Sequence, residues 1–101
     1  MPTDPAFRMT VEDVFSIKGR GTVVTGKIES GTLKVGDEIQ ITGQAGVKKT
    51  AIVAGLEMFR KKLTEVKPGD GVGVLLKDVA RDEIQKGDIL VGRDPYFTWK
   101  P

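Results

Sequence analysis

Residues 21–27 are the most suggestive chemical motif in the chain. They read Gly-Thr-Val-Val-Thr-Gly-Lys, which matches the first seven positions of a phosphate-binding loop. The eighth position is Ile28, where such a loop needs a Ser or Thr hydroxyl to hold magnesium. No helix-forming segment follows to offer its N-terminal amides to a phosphate, and Val23 and Val24 favour extended backbone. The motif therefore favours a strand, with a nucleotide-binding loop as the alternative.

Residues for acid–base and metal chemistry are scarce. The chain has no His and no Cys, so it lacks the commonest general base, the thiolate nucleophile and the usual zinc ligands. Glu12 and Asp13 are adjacent, but neighbours on a strand point to opposite faces, so they do not form a paired acid–base site. We therefore expect a protein that is not an enzyme and that uses no metal and no cofactor.

The size and charge of the chain limit its partners. Its 101 residues suffice for one domain, residues 1–101, and the net charge is only +2. Any nucleic-acid contact must then be local, and Lys48-Lys49 and Arg60-Lys61-Lys62 are candidate phosphate contacts, unless they are merely solvated charges. The absence of Cys and of a long apolar run predicts a cytoplasmic protein that makes no membrane contact.

The elements that would position these residues are strands. Apolar residues alternate with polar ones over residues 7–17, which predicts one strand, although Asp13 interrupts its apolar face. Gly19-Arg20-Gly21 predicts a tight reversal, followed by a return strand over residues 22–25. The first two strands should therefore form a hairpin.

A Gly-Asp turn pattern occurs three times, each time flanked by apolar residues. The three copies are Leu33 to Ile39, Val66 to Val72, and Ile84 to Leu90. Gly can adopt a left-handed conformation and Asp can accept hydrogen bonds from nearby amides, so each copy predicts a turn that leads into a strand. Strands are expected over residues 38–42, 71–77 and 88–91, with another over 49–54. About six strands with frequent turns favour a closed antiparallel barrel over a sandwich.

Three stretches fit this pattern less well. Leu56, Phe59, Leu63 and Val66 have helical spacing, so this stretch could be a helix or a strand. Residues 79–84 could form one helical turn capped by Asp78. The tail, residues 93–101, holds half of the aromatic residues, and we expect it to pack within this chain or against a neighbour.

Residues 11–28 closely resemble the start of the second domain of the elongation factor Tu family. Further matching blocks are residues 31–41, 55–61, 69–77 and 81–87, so the resemblance covers about residues 7–92. It implies an all-β fold, a closed six-stranded antiparallel Greek-key barrel. It also implies a strand rather than a helix around Glu57.

The resemblance further implies a role in translation. In that family the barrel forms part of the groove that holds the 3′ end of aminoacyl-tRNA, namely the terminal adenosine and its esterified amino acid. The matching positions in this chain are Glu12, Asp13, Phe15, Ile17, Val23, Thr25, Glu57, Arg60 and Leu75.

These residue types suit an unpaired nucleotide, which proteins read by stacking and by contacts to base edges. Ile17, Val23 and Leu75 would flank the base, although the same residues could instead belong to the barrel core. Glu57 would contact the base or the ribose hydroxyl, and Arg60 would neutralise a phosphate or pair with an acid.

The amino-acid pocket departs from the family pattern. The resemblance places Asp13 near the charged α-amino group and Phe15 in the wall of this pocket. The family usually has Asn where this chain has Gly71, so one hydrogen-bonding side chain is missing and contacts to the aminoacyl group should be weaker.

We therefore expect a non-catalytic barrel that contributes to binding the aminoacyl-tRNA acceptor end and packs against the GTPase domain of its parent factor. One partial groove makes few phosphate contacts, so binding in isolation should be weak. Ribosomal RNA is a further candidate partner. The alternative is a structural or protein-interaction barrel with no nucleic-acid ligand.

Overall fold

A computed structural model describes residues 7–58, 61–63 and 65–92, with side chains for all of these except 61–63 and 65. The strands are β1 (Arg8–Thr10), β2 (Asp13–Ile17), β3 (Gly21–Ser30), β4 (Leu33–Lys34), β5 (Glu38–Gly43), β6 (Gly46–Met58), β7 (Lys61–Leu63), β8 (Glu65–Val66), β9 (Gly71–Lys77) and β10 (Ile89–Gly92). A 3₁₀ turn, Arg81–Glu83, lies between β9 and β10. None of the described residues form a helix with the length and apolar character needed to cross a bilayer.

Six of these strands close into a barrel. The ring runs β1, β10, β5, β6, β9, β3 and back to β1, and every pairing in it is antiparallel. β3 lies beside β9 although β5 and β6 separate them in the sequence, which is a Greek-key arrangement. The predicted all-β, closed six-stranded antiparallel Greek-key barrel is therefore confirmed. β2 extends the sheet beside β3, β7 lies beside β6, and β4 pairs with β8.

Alternate residues of the ring strands fill the interior. In β9, and in β3 from residue 22 to residue 29, the even-numbered residues are buried and the odd-numbered ones face outwards. The buried apolar side chains are Phe7, Met9, Val11, Val24, Ile28, Leu33, Ile39, Ile41, Ala51, Val53, Leu56, Val66, Val72, Val74, Leu76, Val79, Ile84 and Leu90. Their burial supplies the main favourable free energy of folding, and it fixes which residues of each strand remain on the outside.

The three Gly-Asp turns share one geometry, as predicted. Gly36, Gly69 and Gly87 have φ values of 98°, 93° and 91°, in the left-handed region. In each turn the Asp carboxylate accepts the backbone N–H three residues earlier, at 2.9, 3.1 and 3.0 Å. The apolar residues at the two ends of every copy of the motif, such as Leu33 and Ile39 in the first, are buried. The repeated motif is thus a repeated way of reversing the chain between two core residues.

The prediction of one strand over residues 7–17 is wrong, because the chain bends at Val11 and Glu12 between β1 and β2. The Val11 N–H donates to the carbonyl of Asp88 at 2.8 Å, and the Val11 carbonyl accepts from Gly87 at 2.9 Å. The Glu12 N–H donates to the carbonyl of Thr25 at 2.7 Å. At this bend the chain separates from β10 and continues beside β3. A single straight strand therefore cannot pair with β10 and then follow β3.

The bend changes which residues face the core. Met9 is buried, whereas Phe15 and Ile17 are exposed and Val14 packs against the core. The hairpin of β2 and β3 across Gly19-Arg20-Gly21 forms as predicted, with Phe15 opposite Val23.

A β-bulge in β6 is the second place where the alternation of buried and outward-facing residues shifts by one residue. The register with β9 shifts between Val53 and Gly55, leaving Ala54 as the extra residue. Val53 and Leu56 are therefore both buried, while Gly55 and Glu57 lie on the outer face.

The helix alternative for residues 56–66 is wrong for the described part of that stretch. β6 continues to Met58, and β7 and β8 follow it. β7 pairs antiparallel with the end of β6, so the backbone hydrogen bonds are made across strands. Phe59, Arg60 and Thr64 are outside the described residues.

The cap predicted for the single helical turn is also wrong. The 3₁₀ turn starts after Ala80, whose N–H donates to the Glu83 carboxylate at 2.8 Å. Asp78 precedes it with a φ of 60°, and its carbonyl accepts a hydrogen bond from Lys49 Nζ at 2.7 Å. Because Asp78 has a positive φ, the chain turns out of β9 at this residue. The 3₁₀ turn begins only two residues later, so Asp78 is not its N-cap.

Residues 21–27 form part of a strand, as the sequence favoured. The strand requires glycine at both Gly21 and Gly26 for structural reasons. Gly21 leaves the hairpin turn with a φ of 127°. A Cβ on Gly26 would lie 2.3 Å from the Thr10 carbonyl oxygen, so glycine lets β1 cross close to β3.

Candidate nucleic-acid interface

The outer face of four neighbouring strands carries most of the predicted site. The register places Phe15, Val23, Leu75 and Gly55 in one row across β2, β3, β9 and β6. A second row, two residues along each strand, contains Asp13, Thr25, Gly73 and Glu57. Directly opposed side chains in such rows are about 5 Å apart, so the two rows form one continuous surface.

A cleft of about 210 Å³ lies in this surface. Its walls contain apolar side chains from β3 and β9, the bulge of β6 and the first Gly-Asp turn, with charged groups from the hairpin turn and β6. The lining residues are Arg20, Val23, Val35, Ala54, Gly55, Leu56, Glu57, Gly73 and Leu75. An apolar slot with a few polar groups is the usual form of a small-ligand site.

Two glycines keep the cleft open. A Cβ on Gly73 would lie 3.4 Å from Val23 Cγ1, and one on Gly55 would lie 3.6 Å from Leu75 Cβ. Both are spacings at which side chains pack, so larger residues there would occupy the slot. Since neither glycine has a positive φ, space rather than backbone conformation is what they contribute.

An ion pair marks the polar end of the cleft. The Arg20 guanidinium Nη2 lies 3.7 Å from Glu57 Oε2, and the two side chains are 48% and 45% exposed. Carboxylate oxygens only accept hydrogen bonds and guanidinium N–H groups only donate them. This end can therefore meet both donors and acceptors on the edge of a flat heterocycle.

The predicted site residues have different positions in this arrangement. Val23, Glu57 and Leu75 line the cleft. Asp13, Phe15, Ile17 and Thr25 lie beside it, on β2 and β3 of the same outer surface, with Phe15 49% and Ile17 37% exposed.

The two remaining predicted site residues are Glu12 and Arg60. Glu12 is exposed at the bend before β2. Arg60 is outside the described residues. Ile17, Val23 and Leu75 are not among the buried core residues, so the core alternative for these three is wrong.

Sequence reasoning missed several of the lining residues. Arg20 was identified only as part of a turn, and Val35 only as part of a Gly-Asp motif. Ala54 and Gly55 enter the cleft through the β6 bulge, which no residue pattern indicated. For Arg20 a signal was present, because it is the one charged residue in Gly19-Arg20-Gly21, between two strands that carry predicted site residues.

The lysines proposed as phosphate contacts at 48 and 49 are engaged elsewhere. Lys48 Nζ lies 2.7 Å from Asp88 Oδ2, and Lys49 Nζ lies 2.9 Å from Glu83 Oε1. The Ala80 N–H, with a further contribution from Lys49, holds the pKa of the Glu83 carboxyl below its ordinary value. These lysines tie strands and turns together, and neither lines the cleft.

Comparison with known protein families gives a match over most of the chain. The family model described as elongation factor Tu domain 2 matches residues 21–91, well over half of the chain. The matched region contains β3 to β9, nearly all of β10 and every residue that lines the cleft except Arg20.

Proposed function

This chain belongs to the elongation factor Tu domain 2 family, and from that premise we propose that its outer cleft binds the aminoacylated 3′ end of tRNA. The barrel acts as a non-catalytic module of a translation factor. In the full-length factor it packs against the GTPase domain and works in the cytoplasm. Alone, it binds the acceptor end weakly, because one shallow cleft makes few phosphate contacts.

The observation that carries this proposal is the convergence of Val23, Leu75 and Glu57 on one cleft. Two half-buried aliphatic side chains offer a surface for a base, and a carboxylate at the end offers an acceptor for its amino or ribose hydroxyl groups. Phe15 and Asp13 lie next to this cleft on the same face. They would lie beside the amino acid that is esterified to the terminal ribose.

The proposal is tested by titrating the ¹⁵N-labelled chain with an aminoacyl-tRNA or a short acceptor-end mimic at low salt. We expect amide shifts concentrated at Phe15, Ile17, Val23, Glu57 and Leu75. Shifts that avoid these residues, or no shifts at all, would show that the assigned site is wrong.

A cleft-filling variant makes the test specific. Gly73→Val places a branched side chain against Val23 in the slot and should weaken binding at least about tenfold, as expected when an apolar pocket is blocked. Thr50→Val is the matched control, since Thr50 is exposed on β6 and does not line the cleft. Equal binding by the two variants would place the ligand elsewhere on the barrel.

A further inference from the structure

We propose that Arg20 is a positioning residue for the nucleic-acid end: its ion pair holds the Glu57 carboxylate at the mouth of the cleft. This inference rests on the proposed function and adds to it a residue that acts through Glu57. Arg20 belongs to the tight turn between β2 and β3, and Glu57 lies near the end of β6. The pair therefore links the hairpin turn to β6, which is not paired with β2 or β3 in the sheet.

Backbone hydrogen bonds and strand pairing hold the chain in place at both Arg20 and Glu57. The Arg20 N–H donates to the Ile17 carbonyl at 2.9 Å and closes the hairpin turn. Glu57 is paired with Gly73 of β9 and with Lys62 of β7 in backbone register. The backbone is thus fixed on both sides, while each side chain is about half exposed. The ion pair at 3.7 Å selects one arrangement among the rotamers that exposed side chains would otherwise sample.

Charge gives Arg20 a second effect on Glu57. A lone carboxylate in the cleft would repel a phosphate-bearing chain, since the effective dielectric near a protein surface is well below that of water. Among the residues that line the cleft, Arg20 carries the positive charge and Glu57 the negative one. The pair makes this lining neutral and leaves Glu57 able to accept a hydrogen bond from a base or ribose.

Arg20 also lines a second cleft of about 530 Å³, together with Lys77 and Asp78. Arg20 therefore belongs to the lining of both clefts. Five N–H donors in a fixed fork allow it to hold a carboxylate and still present donors to solvent. An ammonium group would keep the charge at this place but not the fork geometry.

The experiment measures binding of a short single-stranded RNA ending in adenosine to the 101-residue chain and its variants, by NMR titration at several salt concentrations. Arg20→Gln should weaken binding about tenfold, which is within the range for loss of a charge-assisted contact. Arg20→Lys should recover part of the affinity. The matched control is Lys18→Gln, which removes the same charge from the same exposed turn without touching the cleft, and it should change binding less than about twofold.

A double-mutant cycle separates positioning from direct contact. If Arg20 acts through Glu57, Arg20→Gln combined with Glu57→Gln should bind no more weakly than Glu57→Gln alone. Additive losses would mean that Arg20 contacts the RNA itself and would overturn the positioning role. Equal binding by Arg20→Gln and Lys18→Gln would also overturn it while leaving the proposed function intact. No cleft shifts in the unsubstituted chain would overturn both.

Discussion

Asp88 is the most deeply buried carboxylate described in the barrel, and Lys48 is its ionic partner. The two side chains are 4% and 34% exposed, and Asp88 also accepts the Gln85 N–H in its turn. A buried charge is tolerated only while its partners remain in place. The pair therefore couples the β5–β6 hairpin to the last Gly-Asp turn.

Replacing Lys48 should consequently destabilise the fold. Lys48→Met leaves Asp88 with the backbone hydrogen bond alone and should cost about 1–3 kcal/mol, the usual penalty for removing one partner of a buried polar group. Chemical denaturation of both proteins gives the difference in unfolding free energy. Lys86→Met is the control, because its pair with Asp13 at 3.3 Å is exposed and should be worth less than about 1 kcal/mol. Similar losses in both variants would contradict the argument.

Gly71 gives a second prediction at the level of one residue. It is exposed on β9 without positive φ, and nothing lies within 4 Å of a Cβ placed there, so Gly71→Asn should fold normally. A side-chain amide here should raise the preference for an aminoacylated over a deacylated acceptor end about two- to tenfold, the value of one added hydrogen bond. Comparative titrations with the two ligands measure this ratio. Gly71→Ala, which adds no donor, should leave it unchanged.

At the scale of elements, substitutions in the three Gly-Asp turns measure the cost of backbone strain without a change in packing. No atom lies within 4 Å of a Cβ placed on Gly36, Gly69 or Gly87, yet all three glycines have φ above 90°. Alanine at any of them should therefore cost about 1–2 kcal/mol through conformation alone. Thermal or chemical unfolding of the three single variants measures this cost.

The glycine control for these turns is Gly71→Ala, on a strand with equal space around it. It should be neutral or slightly stabilising, because alanine restricts the unfolded chain more than glycine does. If all four variants lost the same stability, the left-handed geometry would not be the cause.

At the scale of the whole molecule, two paired carboxylates affect acid stability. Hydrogen bonds from the Thr10 hydroxyl and from Arg8 lower the pKa of Glu29, and the Ala80 N–H and Lys49 lower that of Glu83. A carboxyl group with a depressed pKa in the folded state binds its proton more weakly there than in the unfolded chain. Its stabilising effect is complete above the ordinary value of 4.5 and is lost as the pH falls through the lowered value.

Acid unfolding should therefore depend on these two groups. Glu83→Gln and Glu29→Gln should each flatten the fall of unfolding free energy below about pH 4.5, since Gln does not titrate. Measuring unfolding free energies between neutral and acidic pH tests this. An unchanged pH slope in both variants would show that the two ion-paired carboxylates do not contribute.

Much of the molecule is determined by sequence alone. The hairpin at Gly19-Arg20-Gly21, the three Gly-Asp turns and the alternation in β3 and β9 follow from residue type, because left-handed glycines, Asp acceptors and side-chain period are local properties. The barrel itself follows from the number of strands and the resemblance together.

The tertiary structure alone decides where the alternation of core-facing and outward-facing residues shifts by one residue. Before the bulge, Ala51 and Val53 face the core, so an uninterrupted β6 would turn Glu57 inwards as well. The bend before β2 likewise moves Phe15 and Ile17 outwards, although Met9 and Val11 point inwards. Both changes arise because a strand must meet two neighbours whose registers differ when the sheet closes. Closure is a property of the whole ring, and it places the carboxylate of Glu57 beside Arg20 at the cleft instead of in the core.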